Sequence, residues 1–313
     1  MMPAIAIGGP TASGKSAVAD LVASELGSPV ISADAMQVYR GMDIGTAKVP
    51  ADARAVPLLL VDLVDPTEPY SAALYQRDAR REIDRLLSEG TTPVLCGGTG
   101  LYLRAALDDL RFPAGELTDE RRRSYQAFAE EHGAAALHEL LRARDPESAA
   151  LIHPNNVKRV VRALEMCDEG VSYAQQAAGF SEPKPRYEHL DFALTMDRAR
   201  LYARIDARVD RMLAAGFADE VRDLLAAGAR DALTSRQAIG YQELIRVLDG
   251  ELSLEEAAAL MKQRTRRYAK RQLSWWRRDP RTIWIDMDEH DAASAARAIL
   301  ERAGVADGQA TAR

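Results

Sequence analysis

Residues 9–16 read Gly9-Pro10-Thr11-Ala12-Ser13-Gly14-Lys15-Ser16, a G-x-x-x-x-G-K-[ST] stretch, and its setting decides the fold. The apolar run Ala4-Ile5-Ala6-Ile7 precedes it, and Val18, Leu21 and Val22 follow at helical spacing. A strand that turns through glycines into a helix points successive backbone N–H groups at one anion. The helix N-terminus adds partial positive charge, and the Lys15 ammonium meets terminal phosphate oxygens. Ser16 is placed to hold Mg2+. A di- or triphosphate is expected here, and the loop alone leaves open whether it is transferred, hydrolysed or lost.

Outward from the loop, strand signals recur at 29–31, 58–64 and 92–96, with a long amphipathic helix at 70–88 between them. Strands joined through helices predict an α/β fold, a P-loop NTPase-like parallel sheet flanked by helices, with ligands at the carboxyl ends of the strands. From Pro113 to Tyr187 the strand signals vanish, and the chain is helical, charged and bounded by prolines. This pattern predicts a catalytic core from 1–112 and 190–306, a helical insertion at 113–189, and a disordered tail at 307–313. Beyond the insertion, a strand is expected at 192–194, helices at 198–215, 217–227, 236–249 and 254–277, and a strand at 282–285.

Composition narrows the classes. Of 313 residues, 47% are hydrophobic and 28% charged, which supplies a core and excludes global disorder and coiled coil. Lys plus Arg (41) against Asp plus Glu (47) leaves a net charge of −6, so nucleic-acid binding has to come from local clustering. Cys96 and Cys167 are too few for a disulfide framework or a four-ligand zinc site. The five histidines (His132, His138, His153, His189, His290) lack metal-ligand spacing and read as surface or capping residues. No apolar run reaches membrane-spanning length and residues 1–8 carry no basic leader, so a soluble, cytoplasmic protein is expected. Nothing points to an obligate dimer, and a monomer is expected. Asp62 and Asp65 are possible metal-holding acids but lack a clean apolar run before them. Asp34, at the end of the second strand, is better placed for acid–base work, although a turn cap would also suit its position.

Further motifs follow in order: Asp34-Ala35-Met36-Gln37-Val38-Tyr39, then Gly-Met-Asp-Ile-Gly-Thr-Ala-Lys at 41–48, and Gly-Gly-Thr-Gly-Leu-Tyr at 97–102. Arg162-Ala163-Leu164-Glu165, Gly-Phe-Ala-Asp-Glu-Val at 216–221, Arg-Gln-Ala-Ile-Gly-Tyr at 236–241 and Thr-Arg-Arg-Tyr-Ala-Lys-Arg-Gln-Leu-Ser-Trp-Trp at 265–276 complete the series. The series closely resembles the bacterial tRNA dimethylallyltransferases, from residue 5 to about residue 280. The resemblance implies that the loop holds the diphosphate of dimethylallyl diphosphate, and that N6 of the adenosine 3′ of the anticodon attacks the allylic C1. It assigns leaving-group stabilisation to Lys15, the loop amides, Thr11 and Arg222, with Mg2+ on Ser16. It makes Asp34 the general base and gives Thr99 a hydrogen bond to substrate. Its tRNA anticodon stem-loop contacts fall on Asp34, Ala35, Met36 and Gln37, on Thr99, and on Arg121 within an arginine triplet. They continue through Lys158, Arg159, Val160, Val161 and Arg162, then Arg236, Gln237, Ala238, Ile239, Gly240 and Tyr241.

Nine cations from Lys262 to Arg281 face one acid, Asp279, with Tyr268, Trp275 and Trp276 interleaved. A solvated helix face explains such a run by charge alone. RNA contact explains the aromatic residues too, with Arg267 and Arg271 sharing one face, Arg264 and Tyr268 another, and Leu273 and Trp276 packing inward. Three alternatives stay open at this point: a P-loop small-molecule kinase, an adenylate isopentenyltransferase using free nucleotide, and a non-catalytic RNA-binding protein. The kinase leaves the basic–aromatic stretch unexplained, and the non-catalytic reading leaves Lys15, Ser16 and Asp34 unexplained.

Overall fold

The computed structural model describes residues 2–110, 112, 120–181, 183–231 and 238–305. It divides into two units. The first holds Met1–Tyr70, Leu74–Leu107 and the chain from Tyr187 on, and the second holds Ser71–Ala73 with Asp108–Arg186. The expected tail and the residues Arg236 and Gln237 lie outside the described residues.

The first unit is built on a six-stranded sheet: β1 (Ala4–Gly8), β2 (Val30–Ser32), β3 (Leu58–Leu59), β4 (Val94–Cys96), β5 (His189–Thr195) and β6 (Ile283–Asp286), in the order β3-β2-β4-β1-β5-β6. Every pairing is parallel. β1 is central and buried at all five positions, which is why it reads as an unbroken apolar run and not an alternating one. Helices α1 (Lys15–Glu25), α2 (Ala72–Ser88) and α3 (Gly100–Leu107) cross between strands. The core joins Ile5 and Ile7 of β1 to Val18 and Val22 of α1 and to Phe192 and Leu194 of β5. Each such side chain, fully buried, contributes roughly 1.5–3 kcal/mol relative to exposure.

One expected strand is much shorter than its apolar run. Pairing along 58–64 stops after Leu59, because Leu60 (φ 60°) and Asp62 (φ 55°) turn left-handed. The N–H groups of Asp62 and Leu63 then bond the carbonyls of Gln37 and Val38 instead of continuing the sheet. Asp62 pairs with Lys48 and Asp65 with Arg40, so neither acid is aimed at the phosphate loop.

The second unit contains α4 (Glu120–Arg144, interrupted at Gly133), α5 (Pro146–Leu151), α6 (Val157–Asp168) and α7 (Tyr173–Ser181). Its own core gathers Leu137 and Leu141 with Val160, Val161 and Leu164. His138 is buried and bonds the carbonyls of Ala149 and Ile152, and the side chain of His189 is buried beside Asp191. Neither side chain lies on the surface, and His138 fills the capping half of the expectation from a buried position at the end of α5.

The first unit continues after β5 through α8 (Arg198–Ala214), α9 (Phe217–Ala226), α10 (Tyr241–Leu248), α11 (Leu254–Trp276) and, past β6, α12 (Ala292–Arg302). α10 begins later than its sequence pattern suggested. Gly240, at φ 98°, breaks the chain before Tyr241, and its N–H is capped by Glu243 at 2.7 Å.

Candidate active site

The loop between β1 and α1 curls as its sequence requires. Gly14, at φ 104°, sits as the N-cap of α1, a conformation that side-chain-bearing residues rarely adopt. Ala12 also turns left-handed (φ 65°), and Arg204 on α8 donates to its carbonyl at 2.8 Å. Ser13 is 1% exposed, and its Oγ has no hydrogen-bond partner among the described residues. A buried hydroxyl left this way is costly unless an anion meets it, which fits a phosphate cradle. Lys15 Nζ donates to the Pro10 carbonyl at 2.7 Å. Burial pulls the Lys15 ammonium down to about 8, with Arg208 adding to the fall and Asp34 opposing it.

Arg208 was not singled out by its sequence context. Its Nη1 donates to Thr11 Oγ1 at 3.4 Å, and burial lowers its guanidinium while Asp34 opposes the fall. Arg222, expected at the diphosphate, instead donates to Asp219 with 59% of its side chain exposed. Among the described residues Arg204 and Arg208 bond the loop, whereas Arg222 bonds Asp219. Arg208→Ala is therefore expected to weaken diphosphate binding about tenfold or more, as loss of a charged hydrogen bond does, and Arg222→Ala far less. Calorimetric titration with a dimethylallyl diphosphate analogue separates the two.

Across from the loop, β2 ends and Asp34 follows. Its Oδ1 accepts from the Met36 N–H at 2.9 Å, so the turn-cap reading holds for one oxygen. The other has no hydrogen-bond partner among the described residues. Thr99, in the turn after β4, donates its N–H to the Ala33 carbonyl (3.2 Å) and accepts from the Ala35 N–H on Oγ1 (3.1 Å). Asp34 and Thr99 are thus fixed to one another through backbone. Lys15, Arg208 and Asp34 lie near enough to feel one another's charge.

The basic–aromatic helix α11 does two jobs on two faces. Gln272, 5% exposed, accepts from the Thr11 N–H and donates to the Gly98 carbonyl, each at 2.8 Å. Trp276 covers Gly8 and Trp275 covers Gly100, leaving no room for a Cβ at either glycine. Tyr268 is turned toward the site: burial and then Asp34 push its hydroxyl up to about 12, against hydrogen bonds to Thr99 and Gln272. Tyr268 and Trp275 are accordingly site walls, not members of an exposed RNA face. Much of the positive run is paired within the chain, Lys262 with Asp210, Arg264 with Glu243, Arg266 with Asp206 and Arg281 with Asp279. Arg264 therefore does not share an RNA-facing surface with Tyr268. Arg267 and Arg271 are exposed, Arg271 lying over the Tyr268 ring at 5.7 Å.

Other expected RNA contacts divide in the same way. In the second unit Arg121, Lys158 and Arg159 are exposed, and Arg162 pairs with Glu165. Val160 and Val161 are 0% and 2% exposed and belong to the core of that unit, so neither can touch RNA. Arg122 is held by Glu165, while Arg121 and Arg123 are both exposed. In the first unit Ala238 and Ile239 are half-buried, while Gly240 and Tyr241 are buried. The Tyr241 hydroxyl donates to Glu220 at 2.7 Å, and burial followed by Glu220 pushes it far above its ordinary range. Gly240 and Tyr241 are supports, not contacts.

Among the described residues no three metal-ligating side chains come together. Mg2+ does not require such a cage, since it keeps waters and takes substrate phosphate oxygens. The exposed Ser16 hydroxyl at the start of α1, beside the anion cradle, fits that mode of binding.

A glycine-lined anion cradle at the carboxyl end of a central parallel strand, with a carboxylate opposite it, defines a P-loop α/β protein. The IPP transferase family model matches residues 37–279, and an isopentenyl transferase model matches residues 2–54. The tRNA dimethylallyltransferase of Symbiobacterium thermophilum is 48% identical over 298 residues, 94% of this chain and 92% of that one. That of Carboxydothermus hydrogenoformans is 43% identical over 96% of this chain and 97% of its own. Among solved structures, the full-length tRNA isopentenylpyrophosphate transferase of Bacillus halodurans aligns with TM-score 0.70 at 41% identity, covering 97% of each chain. A eukaryotic dimethylallyltransferase acting on tRNA aligns at TM-score 0.79 and 27% identity, over 96% of this chain and 78% of that one. The chain belongs to the IPP transferase family.

Proposed function

We propose that the chain transfers a dimethylallyl group from dimethylallyl diphosphate to N6 of the adenosine 3′ of the anticodon in tRNA, acting as a monomer in the cytoplasm. One observation carries the reading: the cradle with its orphaned Ser13 hydroxyl, Lys15 and Arg208 faces Asp34 and Thr99 in one site. The N6 lone pair attacks C1, the C1–O bond to diphosphate breaks, and the diphosphate leaves with that electron pair. The proton released from N6 passes to Asp34. Lys15, Arg208, Ser13 and the loop amides stabilise the charge growing on the leaving group. Mg2+, held through Ser16, would supply further neutralisation of the diphosphate. The Thr99 hydroxyl, held by the Ala35 N–H and beside Tyr268, would turn its proton to the incoming base when that base enters.

The adenine cannot react while stacked, so it is extruded toward Asp34 at an unstacking cost of roughly a few kcal/mol. Contacts to the anticodon stem-loop through Gln37, Arg121, Lys158, Arg159, Arg267 and Arg271 offset that cost. Neutralising Arg267 and Arg271 together is expected to lower tRNA affinity and flatten its salt dependence. At about −0.7 to −0.9 in log–log slope per phosphate contact, the change is on the order of 1.5. Fluorescence titration across salt concentrations measures it, and an unchanged slope returns the pair to a solvated face. The function itself is tested with radiolabelled dimethylallyl diphosphate and unmodified tRNA, against the same tRNA carrying guanosine at that one position. Label should enter only the first. Label transferred to free AMP, or phosphate moved from ATP to a small hydroxyl acceptor, would replace this reading.

A further inference from the structure

Two motifs, at 41–48 and 216–221, take no part in the chemistry above, and the structure locks one into the other. Glu220 on α9 accepts hydrogen bonds from three consecutive backbone N–H groups, those of Asp43 (3.0 Å), Ile44 (2.6 Å) and Gly45 (3.1 Å). Its fourth donor is the Tyr241 hydroxyl at 2.7 Å. Successive N–H groups converging on one anion form a nest, filled here by a carboxylate of the chain itself. Gly45 permits the approach, because a Cβ there would lie 2.3 Å from the Phe217 ring. From the other side Lys48, its side chain 4% exposed, holds Asp43 and Asp62 at 2.6 Å each.

Between these two anchors the loop reaches the site. The Thr46 carbonyl accepts from Gln37 Nε2 at 3.3 Å, and Gln37 Oε1 accepts from Ser32 Oγ at 3.0 Å. Gln37 lies three residues past Asp34 on the segment assigned to the acceptor base. None of the four groups on Glu220 belongs to the phosphate loop.

We infer that Glu220 is a positioning residue for the acceptor: through residues 43–46 it fixes Gln37 and the segment carrying Asp34, and it leaves the donor site untouched. The inference rests on the proposed function. Glu220→Gln offers one acceptor oxygen where two served four donors, and turns an NH2 group toward N–H groups that already donate. Its kcat/KM for tRNA should fall about 100-fold, the scale of a small misplacement at a reacting centre. The Kd for a non-reactive dimethylallyl diphosphate analogue, measured without RNA, should stay at the wild-type value. Amide hydrogen exchange at 43–45 should accelerate, and Glu220→Asp, which keeps the charge, should recover part of the loss. Should the glutamine variant not fold, the aspartate variant carries the same comparison with a smaller loss on the RNA side.

Wild-type tRNA kinetics in a folded variant, unaccelerated exchange at 43–45, or equal loss of donor affinity would each overturn the inference. A wild-type chain that binds both substrates and transfers nothing would sink the proposed function instead.

Discussion

Replacing Asp34 by alanine lowers prenyl transfer by about 10²–10⁴-fold, the range for removal of a general base, while tRNA affinity is largely retained. The two oxygens of the side chain do different work. Oδ1 takes the Met36 N–H and sets the turn, and in the proposed reaction the other oxygen, without a hydrogen-bond partner among the described residues, would take the N6 proton. Asparagine separates these roles. Asp34→Asn can still accept from Met36 N–H through its amide oxygen but cannot accept a proton at neutral pH. It should lose nearly as much activity as the alanine variant if basicity matters, and far less if the turn alone matters. Donor binding moves the other way. Asp34 opposes the lowering of Lys15 and of Arg208, so removing its charge takes away a competing anion, and the diphosphate should bind at least as tightly as before. Single-turnover transfer and calorimetric donor binding on the same preparations make the comparison. Near-normal turnover in the asparagine variant would remove Asp34 as the base.

How far the site could be read in advance depended on whether its chemistry sat in a local pattern. The cradle did, because a strand, glycines and a helix start are contiguous, and so did Asp34 and Thr99 at strand ends. Arg208 did not, since α8 carries many charges and its contact with Thr11 spans 197 residues. A usable signal was present: Arg204, Arg208 and Arg211 share one stripe of α8, against the buried stripe of Leu201, Ile205 and Val209. Gln272 offered a sharper one. It stands in the buried stripe of α11 between Ala269 and Trp276, and a polar residue in an apolar stripe must have found a partner. Val160 and Val161 show the opposite error. The sequence of 158–162 presents one contiguous stretch, but helical geometry turns its valines into the core while Lys158 and Arg159 stay outside. The third strand forms but is cut short for a tertiary reason, since the bonds that divert Asp62 and Leu63 come from residues 37 and 38.

Lys15→Ala should cost about 10²–10³-fold in transfer, the loss seen when one preorganised donor to a developing anion is deleted, together with weaker donor binding. The pH dependence identifies the group. In the free protein the Lys15 ammonium titrates near 8 instead of its usual 10.5, because burial disfavours the charge. The folded state therefore binds fewer protons than the unfolded chain between about 8 and 10.5, so the penalty from this group is full below 8 and is relieved as pH rises through that window. A bound diphosphate has the opposite preference, since it favours the ammonium. Above pH 8 donor binding must take up a proton, and affinity should fall by up to about tenfold per pH unit. Below 8 this group should leave donor affinity flat. In Lys15→Ala the alkaline fall should vanish along with the tighter binding, and proton uptake on binding at pH 9 should disappear in buffers of different ionisation enthalpy. Wild-type donor affinity that stays level from pH 7 to 10 would show that Lys15 is not the diphosphate ligand. The anion would then be held by Arg208 and the loop amides alone.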